Sequence, residues 1–228
     1  MIDIADNVAR VRERIARAAE RSGRSAEDVC LVAVSKTKPT AMIAAAVRAG
    51  VVDIGENYVQ EAAQKIAELT APHVRWHLIG HLQRNKAKWA AELFEIIHTV
   101  DSLAVADALD HRGAARGRAV RVLVEVNVGG ETSKDGVAPE HAGEFLGALV
   151  QRAHLRVEGL MTVPPPVEDP AMARPFFARL RRLRDECASS IAPLKALSMG
   201  MTSDFEVAIE EGATMVRVGR AIFGAREQ

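Results

Sequence analysis

Cys30-Leu31-Val32-Ala33-Val34-Ser35-Lys36-Thr37-Lys38-Pro39 joins an apolar run directly to a reactive polar cluster stopped by proline, and the same kind of join recurs along the chain. A short apolar run bounded by turn-forming residues reads as a strand buried on both faces. Runs of this kind stand at 29–34, 51–54, 74–79, 96–100, 120–126, 155–161, 196–200 and 214–218. Helical periodicity fills the intervals at 40–49, 57–69, 84–93, 102–115, 138–152, 171–190 and 204–211. Alternation of strand and helix predicts parallel strands with crossover helices, and about eight such units close most simply into a (β/α)8 barrel. An open doubly wound sheet is the alternative, but no G-x-G-x-x-G follows an early strand, which disfavours its dinucleotide-binding form.

Around this frame the chain adds little. Ile4, Val8, Val11, Ile15 and Ala18-Ala19 recur at helical spacing and stop at Ser22-Gly23, predicting an extra helix before the first strand. The second strand is the weakest, its core barely more than Val51-Val52-Asp53-Ile54, and Val163-Pro164-Pro165-Pro166-Val167 reads as a stiff loop. With no internal repeat and no composition break, residues 1–228 are expected to form one α/β domain.

Composition narrows the function classes. The 30 Lys and Arg residues balance 30 Asp and Glu residues, so the chain lacks the electrostatic footprint of a nucleic-acid-binding protein. The basic stretch from Arg179 to Arg184 is interrupted by Leu180 and Leu183, as on the solvated side of an amphipathic helix. Cys30 and Cys187 sit in unlike surroundings with no further pair to form a metal cluster, which suggests a reducing compartment. The acidic start lacks the features of a signal peptide, and no apolar stretch is long enough to span a bilayer, so a cytoplasmic protein is expected.

In a barrel of this type the reactive groups lie on the loops after the C-terminal strand ends. The first such loop carries Lys36: a lysine at the mouth of an apolar pocket is disfavoured as an ammonium and can present the free amine that an aldehyde needs. Lys38 lies beside Pro39, where a solvated role fits better. Later loops hold Gly55-Glu56-Asn57, then Gly80 to Lys86, then Asn127 and the segment from Gly129 to Gly136, which includes Thr132 and Ser133. After the seventh and eighth strands stand Gly200-Met201-Thr202-Ser203-Asp204 and Gly219-Arg220. Phosphate sites in such barrels commonly form from these last two loops. Thr202 and Ser203 can cap the helix starting near Asp204, offer hydroxyls to a phosphate, or both.

Arg217 is the one charge in the run Met215-Val216-Arg217-Val218. A buried guanidinium needs a partner. Either it pairs with a strand carboxylate such as Glu125 or Glu158, or it donates to an acceptor on a ring cofactor. Facing a pyridine nitrogen, a permanently charged arginine would keep that nitrogen unprotonated and make the ring a poor electron sink. His73, His77 and His81 are spaced by four, but Trp76-His77-Leu78-Ile79-Gly80 reads as strand, so they are expected to be structural or loop histidines, with no metal site. No nucleophile elbow or P-loop is present.

These residues also resemble a known family. Ala33 to Pro39, Gly55 to Asn57, Trp76 to Gly80 with Gln83 and Asn85-Lys86, Ser133-Lys134, Gly159 to Met161, Leu197 to Thr202, and Val216 to Gly219 with Phe223-Gly224 together resemble the pyridoxal phosphate homeostasis proteins. The resemblance runs from Lys36 to Gly224 in order and spacing. It implies an alanine-racemase-like barrel holding pyridoxal 5′-phosphate (PLP) as an internal aldimine on Lys36. It places Arg217 opposite the pyridine nitrogen, Thr202, Ser203, Gly219 and Arg220 on the phosphate loops, and Asn57 on the pocket wall. Thr202 stands where the family leads one to expect serine, and Arg220 where a small hydroxyl residue is common, so for Arg220 only the backbone amide carries over.

The function this implies is that of a PLP-binding protein which holds, buffers or delivers the cofactor and maintains vitamin B6 and amino-acid balance without turnover. Transient contact with apo-enzymes is implied, as a monomer or weak dimer. Barrel racemases and decarboxylases of similar kind carry a second domain and a catalytic group from a partner subunit, for which this sequence offers no obvious substitute. A small PLP-dependent racemase or lyase is the alternative. A cofactor-free Schiff-base aldolase shares the barrel and the lysine but does not call for a phosphate site paired with Arg217.

Overall fold

The computed structural model describes residues 3–131 and 134–225, so Thr132 and Ser133 of the fifth loop lie outside the described residues. The strands are β1 (Cys30–Val34), β2 (Asp53–Glu56), β3 (Arg75–Leu78), β4 (Ile96–Val100), β5 (Val120–Glu125), β6 (Leu155–Met161), β7 (Ala196–Ser198) and β8 (Met215–Val218). They pair in parallel in sequence order, and β8 pairs with β1 through Val32↔Arg217 to close the barrel. The helices are α1 (Ile4–Arg21), α2 (Thr40–Arg48), α3 (Val59–Glu68), α4 (Ala87–Leu93), α5 (Leu103–Arg116), α6 (Ala142–Leu149), α7 (Arg174–Ser190), α8 (Phe205–Glu210) and α9 (Arg220–Phe223). Among the described residues no helix is long and apolar enough to cross a membrane.

The expected extra helix is α1. Asp3 caps it by accepting from the Asp6 amide at 3.0 Å, and Ile4, Val8, Val11, Ile15, Ala18 and Ala19 form its buried stripe. Arg14–Glu206 and Arg21–Glu210 ion pairs fasten it to α8, and the Asn7 side chain donates to the Ile222 carbonyl of α9. The second strand is displaced from its expected position: Val51 and exposed Val52 precede it, and the ladder runs over Asp53-Ile54-Gly55-Glu56, all buried. Asp, Gly and Glu are poor strand formers on their own. Here barrel pairing overrides that preference, together with partners for both buried carboxylates, Arg75 and His77 for Asp53 and Lys65 for Glu56.

The main apolar core lies between the barrel wall and the helices. Inside the barrel a small cluster of Ile96, Leu123, Met161 and Ala196 is apolar, but Asp53, His77, His98, Ser198 and Arg217 are buried together as well. An interior normally filled by branched apolar residues thus carries a polar stretch.

Candidate functional site at the barrel mouth

Lys36 sits half-buried in the turn that leaves β1. That turn is closed by the Lys38 amide donating to the Ser35 carbonyl, and Thr37 adopts φ 64°, uncommon for a non-glycine residue. Its hold comes from below. The buried Ser35 hydroxyl donates to Glu56, and Lys65 of α3 donates to the Ser35 carbonyl (2.7 Å), Glu56 (2.6 Å) and Glu61 (2.7 Å). Glu61 in turn accepts from the Thr37 amide at 2.6 Å. Burial outweighs these partners at Glu56 and raises its carboxyl above the usual range, although Lys65 and Ser35 pull the other way. Reading along the chain picked out Lys36 but missed Lys65, whose only signal is that it is a lysine on the buried face of a helix.

Asn57 follows β2 directly and is half-buried. Its backbone is pressed against Gly80, where any side-chain carbon would lie 2.4 Å from the Asn57 carbonyl oxygen, so the loops after β2 and β3 can stack only with glycine there. A cleft of about 520 Å³ opens beside them, lined among others by Asn57, Tyr58, Gln83 and Lys86.

Arg217 is buried, 4% exposed. Its guanidinium donates to the Ser198 hydroxyl at 2.7 Å and to the Thr162 carbonyl at 2.8 Å. Neither expected carboxylate pairs with it. Glu158, midway along β6, is taken by Arg121 and Arg156, and Glu125 acts on Arg217 through space without a hydrogen bond. Burial lowers the Arg217 pKa to about 10, with Glu125 and Asp204 opposing, so the group stays cationic at neutral pH. Burial together with Asp101 pushes the Glu125 carboxyl up to about 7, Arg217 opposing.

The seventh and eighth loops meet as expected, through other bonds than expected. Asp204 is the cap residue of α8; no side chain caps that helix, while Asp204 itself accepts from the Met201 amide at 2.6 Å. The Thr202 hydroxyl instead accepts from the Gly219 amide at 3.3 Å, tying the two loops together, and the Arg217 amide donates to the Gly200 carbonyl. Helix capping by Thr202 or Ser203 is therefore corrected: Asp204 takes that position and leaves both hydroxyls at the loop junction. Ser203 and Arg220 are exposed; Arg220 opens α9, whose cap residue is Gly219. The Phe205 amide that opens α8 already donates to the Met201 carbonyl, while α9 starts directly after Gly219 at the same junction. Lys36, Asn57, Thr202, Ser203, Arg217, Gly219 and Arg220 thus all lie at or just beyond the C-terminal ends of β1, β2, β7 and β8, and β8 pairs with β1.

Of the histidines, His73 is exposed and His77 lies buried in β3. His81 stands 3.5 Å from Asp135 and 3.8 Å from Asp101, an ionic cluster on the mouth loops. His98, unremarked in the sequence, is buried inside the barrel against His77.

A closed parallel barrel with a lysine beyond its first strand and an arginine on its eighth defines a class, that of the alanine racemase N-terminal domain, whose family model matches residues 7–227. The chain is 46% identical to the pyridoxal phosphate homeostasis protein of Pseudomonas aeruginosa, over 100% of its own length and 97% of the relative's. The solved structure of PipY from Synechococcus elongatus with PLP bound superposes with a TM-score of 0.84 at 38% identity, covering 97% of this chain and all of PipY (100%). At 24% identity and a TM-score of 0.68, the D-threo-3-hydroxyaspartate dehydratase of Delftia shares the fold; the match covers 95% of this chain but 59% of the dehydratase. The chain belongs to the pyridoxal phosphate homeostasis protein family.

Proposed function

We propose that this protein binds PLP on Lys36 at the barrel mouth and holds, buffers and delivers it without turning over a substrate. One observation carries the reading: the Lys36 turn, the buried Arg217 cation and the Thr202–Gly219 junction converge at one end of one barrel. The donor set suits the cofactor. Lys36 supplies an amine for its aldehyde, Arg217 a charged donor for its ring nitrogen, and Thr202, Ser203 and the Gly219 and Arg220 amides a cradle for its phosphate, with Asn57 on the wall. Bound PLP would contribute an electron-withdrawing ring. Opposite a permanent cation that ring nitrogen stays unprotonated, which weakens the electron sink and disfavours transamination.

Holding without turnover draws its support from the relatives. Homeostasis proteins match this chain from end to end, whereas the barrel dehydratase extends far beyond the match. Keeping the free aldehyde low and supplying apo-enzymes in the cytoplasm is the role that follows. The test is the visible spectrum of purified protein. A yellow band that borohydride fixes onto Lys36, absent from Lys36→Ala, together with no turnover of a panel of L- and D-amino acids, is the expected result. Turnover would favour the small racemase or lyase; a colourless protein that takes up no added PLP would overturn the reading.

A further inference from the structure

Behind Arg217 a continuous chain of side-chain hydrogen bonds crosses the barrel interior. Arg217 donates to Ser198 on β7 at 2.7 Å, Ser198 meets His98 Nδ1 on β4 at 2.9 Å, and His98 Nε2 meets His77 Nδ1 on β3 at 3.0 Å. His77 Nε2 meets Asp53 on β2 at 2.9 Å, and Asp53 is held from its other side by Arg75 at 2.7 Å through both carboxylate oxygens. Ser198 and His98 are 0% exposed, His77 1% and Asp53 4%. The chain ends beside a cleft of about 480 Å³ at the N-terminal ends of the strands, lined by Cys30, Asp53 and Arg75 among others, on the opposite side of the barrel from Lys36.

The partners dictate the proton positions. Asp53 is an acceptor: burial alone would raise its carboxyl, but bonds from His77 and Arg75 outweigh that and hold it below the usual range. His77 must therefore carry its proton on Nε2. A second buried cation so near Arg217 would be costly, which leaves His77 Nδ1 bare to accept from His98 Nε2–H. Burial, with the Arg217 charge adding, likewise holds His98 neutral, well below its usual range. His98 Nδ1 then accepts from the Ser198 hydroxyl, whose oxygen is left to accept from Arg217. Every bond points one way, from the Arg217 cation to the Asp53 anion, and neutral polarised bonds in a dry interior reinforce one another.

We propose that Ser198, His98, His77 and Asp53 are positioning residues that fix the Arg217 guanidinium, as a charged donor, toward the barrel mouth, so that a carboxylate at the far end of the barrel sets the strength of the donor facing the bound ligand. The ligand end of this proposal rests on the PLP reading above; the relay itself does not. Besides the relay, Arg217 faces the Thr162 carbonyl, which accepts from it at 2.8 Å, and the charges of Glu125 and Asp204.

Two measurements test it, and their failures differ. In the protein without cofactor, nitrogen-resolved NMR of the histidines at pH 7 should show the proton between His77 and Asp53 on His77 Nε2 and the proton between the two rings on His98 Nε2. A charged or Nδ1-protonated ring at either position overturns the relay whether or not PLP binds. With PLP, Ser198→Ala cuts the chain at almost no change in volume, and Asp53→Asn removes the anion across the barrel from Lys36. Both should weaken PLP binding roughly five- to tenfold, as expected for loss of a charge-assisted bond, and both should alter the ratio of the long- and short-wavelength bands of the bound cofactor. Variants that lose only thermal stability and keep the affinity and band ratio of the parent reduce the chain to a structural role and overturn the proposal. If Asp53→Asn fails to fold, Ser198→Ala and the NMR result decide it alone.

Discussion

The Lys65 ammonium donates to the Ser35 carbonyl at 2.7 Å, so a lysine of α3 holds the backbone one residue before Lys36. The same ammonium bridges Glu56 and Glu61, and Glu61 accepts from the Thr37 amide one residue after Lys36. The Lys36 turn is therefore clamped on both sides by one buried ionic group, with Lys65 and Glu56 side chains 8% and 0% exposed. Lys65→Met breaks the group from its centre and leaves a buried carboxylate unpaired, a loss of about 3–5 kcal/mol. Urea unfolding at pH 7 measures it, and a change below about 1 kcal/mol would show that the clamp does not hold the turn.

Gly200 adopts φ +90°, and an added carbon there would lie 2.5 Å from the Ala208 side chain and 2.8 Å from the Phe205 backbone. Gly200→Ala is expected to cost about 1–3 kcal/mol through strain and overpacking. Because it displaces the start of α8, PLP affinity should fall with stability. Parallel thermal melts and PLP titrations check this.

Thr202→Val keeps the size and removes the hydroxyl that accepts from the Gly219 amide. If that junction cradles a phosphate, affinity for PLP falls about fivefold, the worth of roughly 1 kcal/mol for a neutral hydrogen bond. Affinity for pyridoxal, which lacks the phosphate, stays unchanged. Equal losses for both ligands would remove Thr202 from the phosphate site.

Glu125 predicts a pH dependence. Its carboxyl rises from 4.5 to about 7 on folding, burial being the main cause. A group with a raised folded pKa binds its proton more tightly when folded, so its contribution is complete below the unfolded value and is lost as pH rises through about 7. The span corresponds to at most roughly 3 kcal/mol. Glu125→Gln should flatten the decline in stability across this window in urea unfolding measured at a series of pH values; an unchanged slope would assign the decline to another group. The depressed Asp53 carboxyl acts in the opposite sense, its contribution lost only in stronger acid.

What the sequence determined by itself is local. Strand–helix alternation gave eight parallel strands and a leading helix, because apolar runs bounded by turn residues and the 3.6-residue spacing of Ile4, Val8, Val11 and Ile15 are properties of short segments. Lys36, Arg217, Thr202 and Gly219 were legible for a similar reason: strand-end position is a sequence property, and in this fold it places a residue at the mouth. The start of β2 was not legible, since Asp53-Ile54-Gly55-Glu56 becomes a strand only when its neighbours supply the ladder and its carboxylates find Arg75, His77, Ser35 and Lys65. Nor was the true partner of Arg217. Ser198, His98, His77 and Asp53 come from four strands, His98 lying 100 residues from Ser198 and 21 from His77. Only closure of the barrel, with its stagger between strands, turns their separate inward-facing positions into one line of hydrogen bonds.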